Sequence, residues 1–280
     1  MIESLLKSQT KPEFLENQFL RLPYAEPHGC EDLIKRSGWE LIEELLNARD
    51  ADVMVVKAGR RWEESRIPSF AEARELFADG YTLLVRHAER HDAELAGIAT
   101  SFAKDILGSV DVHLYATPGE SFGFGWHYDV EDVFILQLEG EKEYSLRKNT
   151  VNPWPVLENM PADLRYEWEI MPLMKCELAA GDWLYIPHGY WHRGEAKTDA
   201  ISLAVGVMST TALDVLDFAR DRLVHSIRWR QRLPLLAEKP LDELFAELGE
   251  ELKQLVADPK FIRQFLQQVV ERHRTESTEH

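Results

Sequence analysis

The sequence predicts a mainly β fold with α-helices, in which an antiparallel sandwich or barrel lies between N-terminal α/β elements and a C-terminal helical module. Between about residues 111 and 207, short runs rich in β-branched and aromatic residues are separated by Gly, Pro and Asn turns, which is typical of sandwiches and barrels. Before this region helix-like and strand-like runs alternate, and after residue 209 apolar residues recur at helical spacing.

The N-terminal part contains two predicted helices and two predicted strands. Residues 31–48 carry an apolar stripe and are expected to be helical in part, and 52–57 is a short β-rich run. Ser69 followed by Glu72 has the spacing of a capping box and predicts the start of a second helix. Gly80 ends that helix, and residues 81–86 form the next strand.

Five strands are predicted for the barrel core, at residues 111–116, 132–138, 141–146, 182–186 and 201–207. Glu139 and Gly140 separate the second strand from the third, and we interpret them as a tight hairpin turn. Residues 148–176 contain several prolines and are interpreted as a long insertion over the barrel rim that contacts the substrate.

Three amphipathic helices are predicted after the barrel. Thr211 caps a first helix that stops by Pro234, Pro240 suits the first turn of a second, and Pro259 begins a third. We therefore divide the chain into residues 1–209, with the barrel, and 210–280, a helical module that packs on the barrel or pairs with its twin in a dimer.

Composition excludes some classes of protein. The 49 acidic and 32 basic residues give a formal net charge of −17, and such a surface repels phosphate backbones, so no direct nucleic-acid partner is expected. Two cysteines make neither a disulfide framework nor a thiolate zinc site. The first residues lack a signal-peptide pattern and no stretch is long enough to span a membrane. We expect a soluble, cytoplasmic protein.

A His-x-Asp pair supplies the first two candidate metal ligands. In a strand, residues i and i+2 project from one face, so His127 and Asp129 can reach one metal ion together. Such a pair is common, and taken alone it is better explained by a surface pair or a simple His–Asp hydrogen bond.

A second segment supplies a third ligand. Residues 181–192 read as a turn, a strand and a Pro/Gly bend that ends in His192. Two histidines and one carboxylate form the facial triad that suits Fe(II) and oxygen chemistry, whereas zinc prefers closed tetrahedral sites. His188 is a rival ligand in the same turn, and the pattern does not discriminate iron from manganese.

Lys142 is predicted to point into the barrel. It shares a strand face with Tyr144 and Leu146, and a buried ammonium is unfavourable unless an anion meets it. From spacing alone, that anion is either the triad's carboxylate, in a structural ion pair, or the distal carboxylate of 2-oxoglutarate.

The run from Thr117 to Lys142 resembles the core of the JmjC-type cupin oxygenases, and within them the ribosomal-oxygenase branch. Residues 181–192 match the family's second motif, with Ala180 where the family usually has Pro. The resemblance implies a double-stranded β-helix, a jelly-roll barrel that holds Fe(II) with His127, Asp129 and His192. It also implies 2-oxoglutarate and O2 as co-substrates, with Lys142 and Tyr115 binding the 2-oxoglutarate.

The resemblance also implies a homodimer formed through the helical module. Ribosomal oxygenases continue into a winged-helix domain, for which this chain ends too soon, so a ribosomal-protein substrate is in doubt. We expect a hydroxylase of a protein or peptide side chain. The alternatives are the same chemistry on a small metabolite or amino acid, and a metal-binding cupin without oxygenase activity.

Overall fold

A computed structural model of the protein describes residues 1–33, 35–64, 66–106, 108–161, 166–233 and 241–276. The chain divides into two compact units, residues 1–208 and 209–280. Within the described residues, no helix combines the length and the apolar character that crossing a bilayer requires.

The first unit combines two β-sheets with short helices. Its strands are β1 (Tyr24–Glu26), β2 (Asp52–Lys57), β3 (Arg60–Arg61), β4 (Thr82–Arg86), β5 (Gly108–Thr117), β6 (Asp132–Glu139), β7 (Lys142–Arg147), β8 (Met174–Leu178), β9 (Trp183–Ile186), β10 (Trp191–Ala196) and β11 (Ala200–Ser209). Its helices are α1 (Ile2–Leu5), α2 (Lys11–Asn17), α3 (Gly38–Leu46), α4 (Phe70–Ala78) and α5 (Ala93–Asp105).

The strands form a large and a small sheet. Over the described residues the large one runs β1-β9-β6-β11-β5-β4-β2-β3, and the small one runs β10-β7-β8. Strand β6 pairs antiparallel with β9, and β7 pairs antiparallel with β10. The predicted fold class, a jelly-roll-like β core with helices, is confirmed.

The large sheet is covered on both faces, as the alternation along β6 shows. Phe134 and Leu136 belong to an extensive apolar core shared with helices α3, α4 and α5. Val133 and Ile135 point to the opposite face and pack with Tyr144 of the small sheet. Successive side chains of a strand project to opposite faces, so one strand supports both the helical layer and the interior between the sheets.

The prediction of a hairpin turn at Glu139 and Gly140 is wrong. Strand β6 pairs with β9 and β11, whereas β7 pairs with β8 and β10 in the other sheet. Gly140, with a φ of 68°, instead lies where the chain crosses between sheets. A Gly turn between two β-runs has the same local pattern in both cases, because strand pairing is decided by distant residues.

Helices α3 and α4 each begin at a serine that caps the helix. Ser37 and Ser69 each accept a hydrogen bond from the helix they precede and complete capping boxes with Glu40 and Glu72. Helix α3 therefore occupies only the second part of the predicted 31–48 segment. Helix α5 and strands β8 and β10 were not predicted from the sequence.

The second unit is helical, with α6 (Ala212–Leu223), α7 (Ile227–Arg230), α8 (Leu241–Ala257) and α9 (Pro259–Glu276). Thr211 caps α6 and Pro259 begins α9, as predicted. The first predicted helix ends at Leu223 and a separate turn of helix follows. Pro234 and Pro240, used to bound the first two helices, lie outside the described residues.

A small core holds the second unit together. The rings of Phe218 and Phe261 lie 4.9 Å apart, and Phe265 lies 5.6 Å from Phe218. Other apolar side chains of this unit are exposed, among them Leu216 at 50% and Val224 at 55%.

Candidate functional site

A cavity of about 290 Å³ lies between the two sheets of the first unit, and the predicted site residues line it. Tyr115 reaches it from β5, Lys142 from β7 and His192 from β10, while His127 and Asp129 come from the segment before β6. The structure thus brings together all five residues singled out from the sequence.

The backbone joins two of the predicted metal ligands directly. His127 and His192 form an isolated antiparallel bridge. The expected strand through residues 127–129 is not present, because only His127 pairs in this stretch. The bridge, rather than a continuous strand, brings the two histidines side by side.

Hydrogen bonds orient both imidazole rings. His127 donates from Nδ1 to the Gly125 carbonyl at 2.8 Å, and His192 donates from Nδ1 to the Tyr190 carbonyl at 3.0 Å. A carbonyl only accepts, so each Nδ1 carries a proton, and in the neutral ring Nε2 is then the nitrogen that can bind a metal.

The free imidazole nitrogens converge on one carboxylate. Oδ2 of Asp129 lies 4.0 Å from Nε2 of His127 and 3.4 Å from Nε2 of His192. The three potential ligand atoms lie within 4.8 Å of one another. Burial, with His127 nearby, lowers the pKa of His192 to about 4, so this imidazole is neutral at pH 7, as a metal ligand must be.

His188, the rival ligand, contacts Asp132 and not the three proposed ligands. Its backbone N–H and its Nδ1 lie 3.3 Å and 3.4 Å from Oδ1 of Asp132. Its ring packs against Trp154, with centroids 4.8 Å apart. His188 is therefore not part of the three-residue cluster.

Lys142 is buried in the same cavity, with an exposure of 5%. Its Nζ donates to Oγ of Ser202 at 3.1 Å and lies 5.6 Å from the centre of the Tyr115 ring. No carboxylate of the described residues forms an ion pair with it, so the structural ion pair with Asp129 is not present. Burial without a counter-charge lowers the pKa of Lys142 to about 7.

Sequence reasoning missed Glu131, which lines the cavity, and Ser202, which accepts a hydrogen bond from Lys142. Burial and the neighbouring Asp129, Asp111 and Asp132 raise the pKa of Glu131 to about 7. Glu131 continues the two-residue spacing of His127 and Asp129, a signal that was available. No local signal marks Ser202, because its contact with Lys142 depends on how the two sheets face each other.

A second group of potential ligands lies on the same unit, at His87, Glu89 and Asp111. His87 Nδ1 is 2.8 Å from Oδ1 of Asp111, and Glu89 accepts from the backbone N–H of Val112 at 2.7 Å. These groups are engaged with one another and with the backbone, which explains the cluster without an ion.

The aromatic residues that flank the ligands divide into two kinds. Trp183, Tyr190 and Trp191 are buried and pack in the interior. Trp126 is partly exposed and stacks on Tyr166, with ring centroids 4.1 Å apart. Tyr166 belongs to the predicted insertion 148–176. Residues 162–165 of this insertion lie outside the described part of the chain, and its last residues belong to strand β8.

Comparisons with known proteins agree with this geometry. A family model described as the JmjC domain matches residues 84–215. The chain is 32% identical over 135 residues to the bifunctional lysine-specific demethylase and histidyl-hydroxylase NO66 of Dictyostelium discoideum, covering 47% of this chain and 26% of the relative. It is 31% identical over 144 residues to ribosomal oxygenase 1 of Gallus gallus, covering 48% and 24%. The chain thus spans about a quarter of each relative.

Solved structures support the fold. The ribosomal oxygenase YcfD of Escherichia coli, in complex with cobalt and 2-oxoglutarate, superimposes with a TM-score of 0.63 and 18% identity, covering 94% of this chain and 71% of that one. At this identity the similarity shows the fold alone. The matched family, the relatives and the fold agree with the resemblance noted in the sequence. Residues 84–215 therefore match the JmjC domain, and the chain is similar to the ribosomal oxygenases.

Proposed function

We propose that this chain is an Fe(II)- and 2-oxoglutarate-dependent dioxygenase that hydroxylates a side chain of a protein or peptide. The observation that carries the proposal is that three metal-type ligands and one unpaired, buried ammonium group face the same cavity. Two relatives, a demethylase and histidyl-hydroxylase and a ribosomal oxygenase, support the same activity.

The donor set fits iron. Two imidazole nitrogens and a carboxylate oxygen form a 2-His-1-carboxylate group, which leaves coordination positions open and is typical of non-haem Fe(II) oxygenases. The carbonyls of Gly125 and Tyr190 fix the tautomer of each imidazole, and such outer contacts preserve metal affinity. We propose His127, Asp129 and His192 as the ligands.

Lys142, in the lining of the same cavity, fits a dicarboxylic co-substrate. Lys142 has one neutral hydrogen-bond partner, Ser202, and a buried ammonium group requires an anion. We propose that Lys142 binds the distal carboxylate of 2-oxoglutarate and that the Tyr115 hydroxyl assists. Tyr115 lines the same cavity and its ring lies next to Nζ.

Bound Fe(II) and 2-oxoglutarate would supply the oxidising chemistry, in which O2 is consumed, 2-oxoglutarate becomes succinate and CO2, and one oxygen atom enters a substrate C–H bond. The chain's own residues bind and orient. The histidines and Asp129 would hold the metal and Lys142 would orient the co-substrate. The buried side chains of Val133, Ile135 and Tyr144 would limit access of water.

The first experiment tests the metal site under anaerobic conditions. Adding Fe(II) and 2-oxoglutarate to the parent protein should produce a weak visible charge-transfer band, and Asp129→Ala should abolish it. A His188→Ala variant is the matched control and should keep the band. Absence of the band in the parent protein would overturn the proposal and favour a cupin without oxygenase activity. Reconstitution with Mn(II) in place of Fe(II), followed by turnover, separates the two metals.

The co-substrate site has its own test. Lys142→Ala should raise the 2-oxoglutarate concentration for half-saturation at least about tenfold, as expected for a lost charge-assisted bond, while metal binding persists. Lys142→Arg restores a cation and should recover part of the affinity. Unchanged dependence on 2-oxoglutarate in Lys142→Ala would assign Lys142 a structural role only.

The substrate class is proposed to be a protein or peptide, with the insertion 148–176 contacting it. The Glu169 carboxylate accepts hydrogen bonds from the backbone of Thr150 and Met171, which ties the insertion together internally. The insertion is anchored to β7 by Arg147, which donates to the Glu169 carbonyl at 2.9 Å, and its Tyr166 stacks on Trp126 beside His127. Turnover of 2-oxoglutarate should rise with peptide pools and not with metabolite pools. Shortening the insertion should change the preferred substrate and leave iron affinity intact; loss of iron would refute this role.

We also propose a homodimer formed through residues 210–280. Leu216, Val224 and Trp229 line a largely apolar cavity of about 290 Å³ within this unit, and exposed apolar surface of this kind is typical of interfaces. Leu216→Glu should convert the dimer to a monomer in light scattering, whereas Glu247→Gln should not. A monomeric parent protein would refute the dimer.

A cytoplasmic location without direct nucleic-acid binding completes the proposal. Both cysteines are free thiols, as expected in a reducing compartment, and the net charge of −17 disfavours phosphate backbones. Fractionation of cells that express the tagged chain tests the location.

A further inference from the structure

An unpaired couple of arginines lies at the edge of the large sheet. Arg60 and Arg61 form β3, the strand at one end of the sheet, and both side chains are exposed. Neither guanidinium group forms an ion pair or a hydrogen bond with any residue that the structure describes. Glu64, which follows closely in the chain, pairs with Arg66 at 2.7 Å instead. Two adjacent cations are therefore free to meet a partner.

The two arginines project to opposite faces of the sheet. Arg61 pairs with Val56 of β2, and Val56 also pairs with Thr82 of β4. Side chains of directly paired residues lie on the same face, and Thr82 lines the cavity between the sheets. Arg61 is therefore on the cavity side of the sheet. Arg60, which pairs with Lys57, is on the opposite side.

The hairpin that carries Arg61 is fastened to the lining of the cavity. Its turn residues, Ala58 and Gly59, have φ values of 49° and 78°, as in tight type I′ turns. Their N–H groups donate to the carbonyls of Phe122 and Gly123 at 3.2 Å and 2.7 Å. Gly123 also lines the cavity. The strand of Arg61 is thus held in a fixed position relative to the cavity.

Thr82 gives a second indication of a ligand. Its Oγ1 atom is buried and has no hydrogen-bond partner in the part of the chain that the structure describes, and a buried hydroxyl without a hydrogen bond is unfavourable. Thr82 lines the cavity and belongs to the same row of paired residues as Arg61. A polar chain that leaves the cavity along this row would satisfy both groups.

The spacing of the strands sets the distance between these two positions. Neighbouring strands lie about 4.8 Å apart, so two strand spacings place Arg61 roughly 10 Å from Thr82 across the sheet. An extended peptide covers this distance in about three residues. A peptide whose target side chain enters the cavity therefore reaches Arg61 with a residue about three to five positions away.

The chemistry of Arg61 favours a carboxylate. Two N–H groups of a guanidinium match the two oxygens of a carboxylate. The net charge of −17 disfavours a phosphate backbone and a uniformly acidic segment, because the rest of the surface repels both. A single aspartate or glutamate in an otherwise neutral or basic segment meets the free cation without that repulsion.

We propose that Arg61 is a docking residue outside the cavity, which binds an aspartate or glutamate about three to five positions from the hydroxylated residue of the substrate protein. The inference rests on the proposed function and deepens it by naming a feature of the substrate sequence. It concerns a flanking residue and not the side chain that enters the cavity.

Two matched peptides test the docking site. The probes are acetyl-Gly-Gly-Glu-Gly-Gly-amide and the same peptide with Gln in place of Glu, which differ in charge but hardly in shape. Their dissociation constants are measured by NMR titration of full-length, metal-free protein at low salt, with the Nε–H signals of the arginine side chains as reporters. The signal that is missing in Arg61→Gln identifies Arg61.

The parent protein should bind the Glu peptide about threefold more tightly than the Gln peptide, as expected for one exposed ion pair, and added salt should reduce this ratio. Arg61→Gln should bring the ratio to near one, and Arg61→Lys should restore part of it. Arg60→Gln is the matched control, because it removes the same charge from the same strand on the opposite face, and it should keep the ratio.

Mn(II) locates the bound peptide relative to the cavity. In full-length protein loaded anaerobically with Mn(II) and 2-oxoglutarate, the paramagnetic ion should broaden the proton signals of the Glu peptide, whereas Zn(II) should not. The broadening should be lost in Arg61→Gln and kept in Arg60→Gln. Broadening that survives in Arg61→Gln would show direct contact with the ion, and no broadening in the parent protein would place the peptide away from the cavity. Either result overturns the inference.

The remaining outcomes separate this inference from the proposed function. Equal loss of the ratio in Arg60→Gln and Arg61→Gln would indicate nonspecific attraction, and an unchanged ratio in Arg61→Gln would exclude the contact; both overturn the inference alone. A single-stranded oligonucleotide that binds more tightly than the Glu peptide, and more weakly to Arg61→Gln, would assign Arg61 to nucleic acid instead. Failure of the parent protein to bind Mn(II) and 2-oxoglutarate would overturn the proposed function, and with it a substrate as the partner.

Discussion

His127 and His192 are joined by two reciprocal backbone hydrogen bonds, with N···O distances of 3.2 Å and 2.8 Å, and their rings lie 4.2 Å apart. The backbone therefore aligns these imidazoles without help from an ion. Two side chains distant in sequence share one wall of the cavity because their main chains pair.

Metal binding should stabilise the protein through this pair. Ligands that bind only the folded state raise the melting temperature as their concentration increases. We expect Mn(II) to raise the melting temperature of the parent protein and of His188→Ala, each compared with its own metal-free form, and to leave that of His192→Ala unchanged. Differential scanning fluorimetry across a metal titration measures this. A response lost in His188→Ala and kept in His192→Ala would exchange the roles of the two histidines.

Binding of 2-oxoglutarate should take up a proton at mildly alkaline pH. Burial lowers the pKa of Lys142 to about 7, so at pH 8 the amine is mostly neutral, and a bound carboxylate favours the ammonium form. Near one proton per ligand should be taken up at pH 8 and almost none at pH 6.

Calorimetry in two buffers of different ionisation enthalpy counts these protons. Lys142→Arg is the control, because guanidinium stays charged throughout this range, and its binding should show no uptake attributable to residue 142. Equal uptake in the two proteins would remove Lys142 as the proton acceptor.

The ligand-free protein should be destabilised by Lys142 at neutral and acidic pH. The pKa of this amine is about 7 in the folded protein, below its ordinary value of 10.5, so between these two pH values the unfolded chain binds the extra proton. The destabilisation is complete below pH 7 and fades as the pH rises towards 10.5.

Replacing Lys142 with Met should therefore raise the free energy of unfolding by on the order of 2 kcal/mol at pH 6, and by less at pH 9. Urea unfolding of the metal-free protein at both pH values tests the sign. A larger gain at pH 9 than at pH 6 would contradict it.

Gly140 should be intolerant of a side chain. Its φ of 68° is in the left-handed region, and an added Cβ would lie 1.9 Å from the carbonyl oxygen of Asp199. We expect Gly140→Ala to lower the free energy of unfolding by about 2 to 4 kcal/mol. Gly97→Ala, at a helical position with open space around it, should be neutral or slightly stabilising, and urea unfolding of both variants measures the difference.

Much of the site could be predicted because its signals are local. The alternation along 142–147 placed Lys142, Tyr144 and Leu146 on the buried face, and the structure has this pattern. The capping boxes at Ser69 and Thr211 predicted two helix starts for the same reason, since a cap involves residues only three positions apart.

Other features depend on residues far apart in the chain. The pattern around Gly140 was compatible with a hairpin, and only the pairing of β7 with β10 shows the crossing between sheets. Whether Lys142 meets Asp129 was open for the same reason, because Ser202, its actual partner, is 60 residues away.

The sequence by itself determined the chemistry of the site: the kinds of ligand, the buried ammonium and the fold class, since residue type and strand alternation are properties of a short stretch of chain. Tertiary structure alone decided which groups meet. It turns His188 towards Asp132, leaves Lys142 without a carboxylate and seats Glu131 against Gly206. The physical reason is that pairing between distant strands sets these distances, and no local pattern encodes the register of two sheets facing each other.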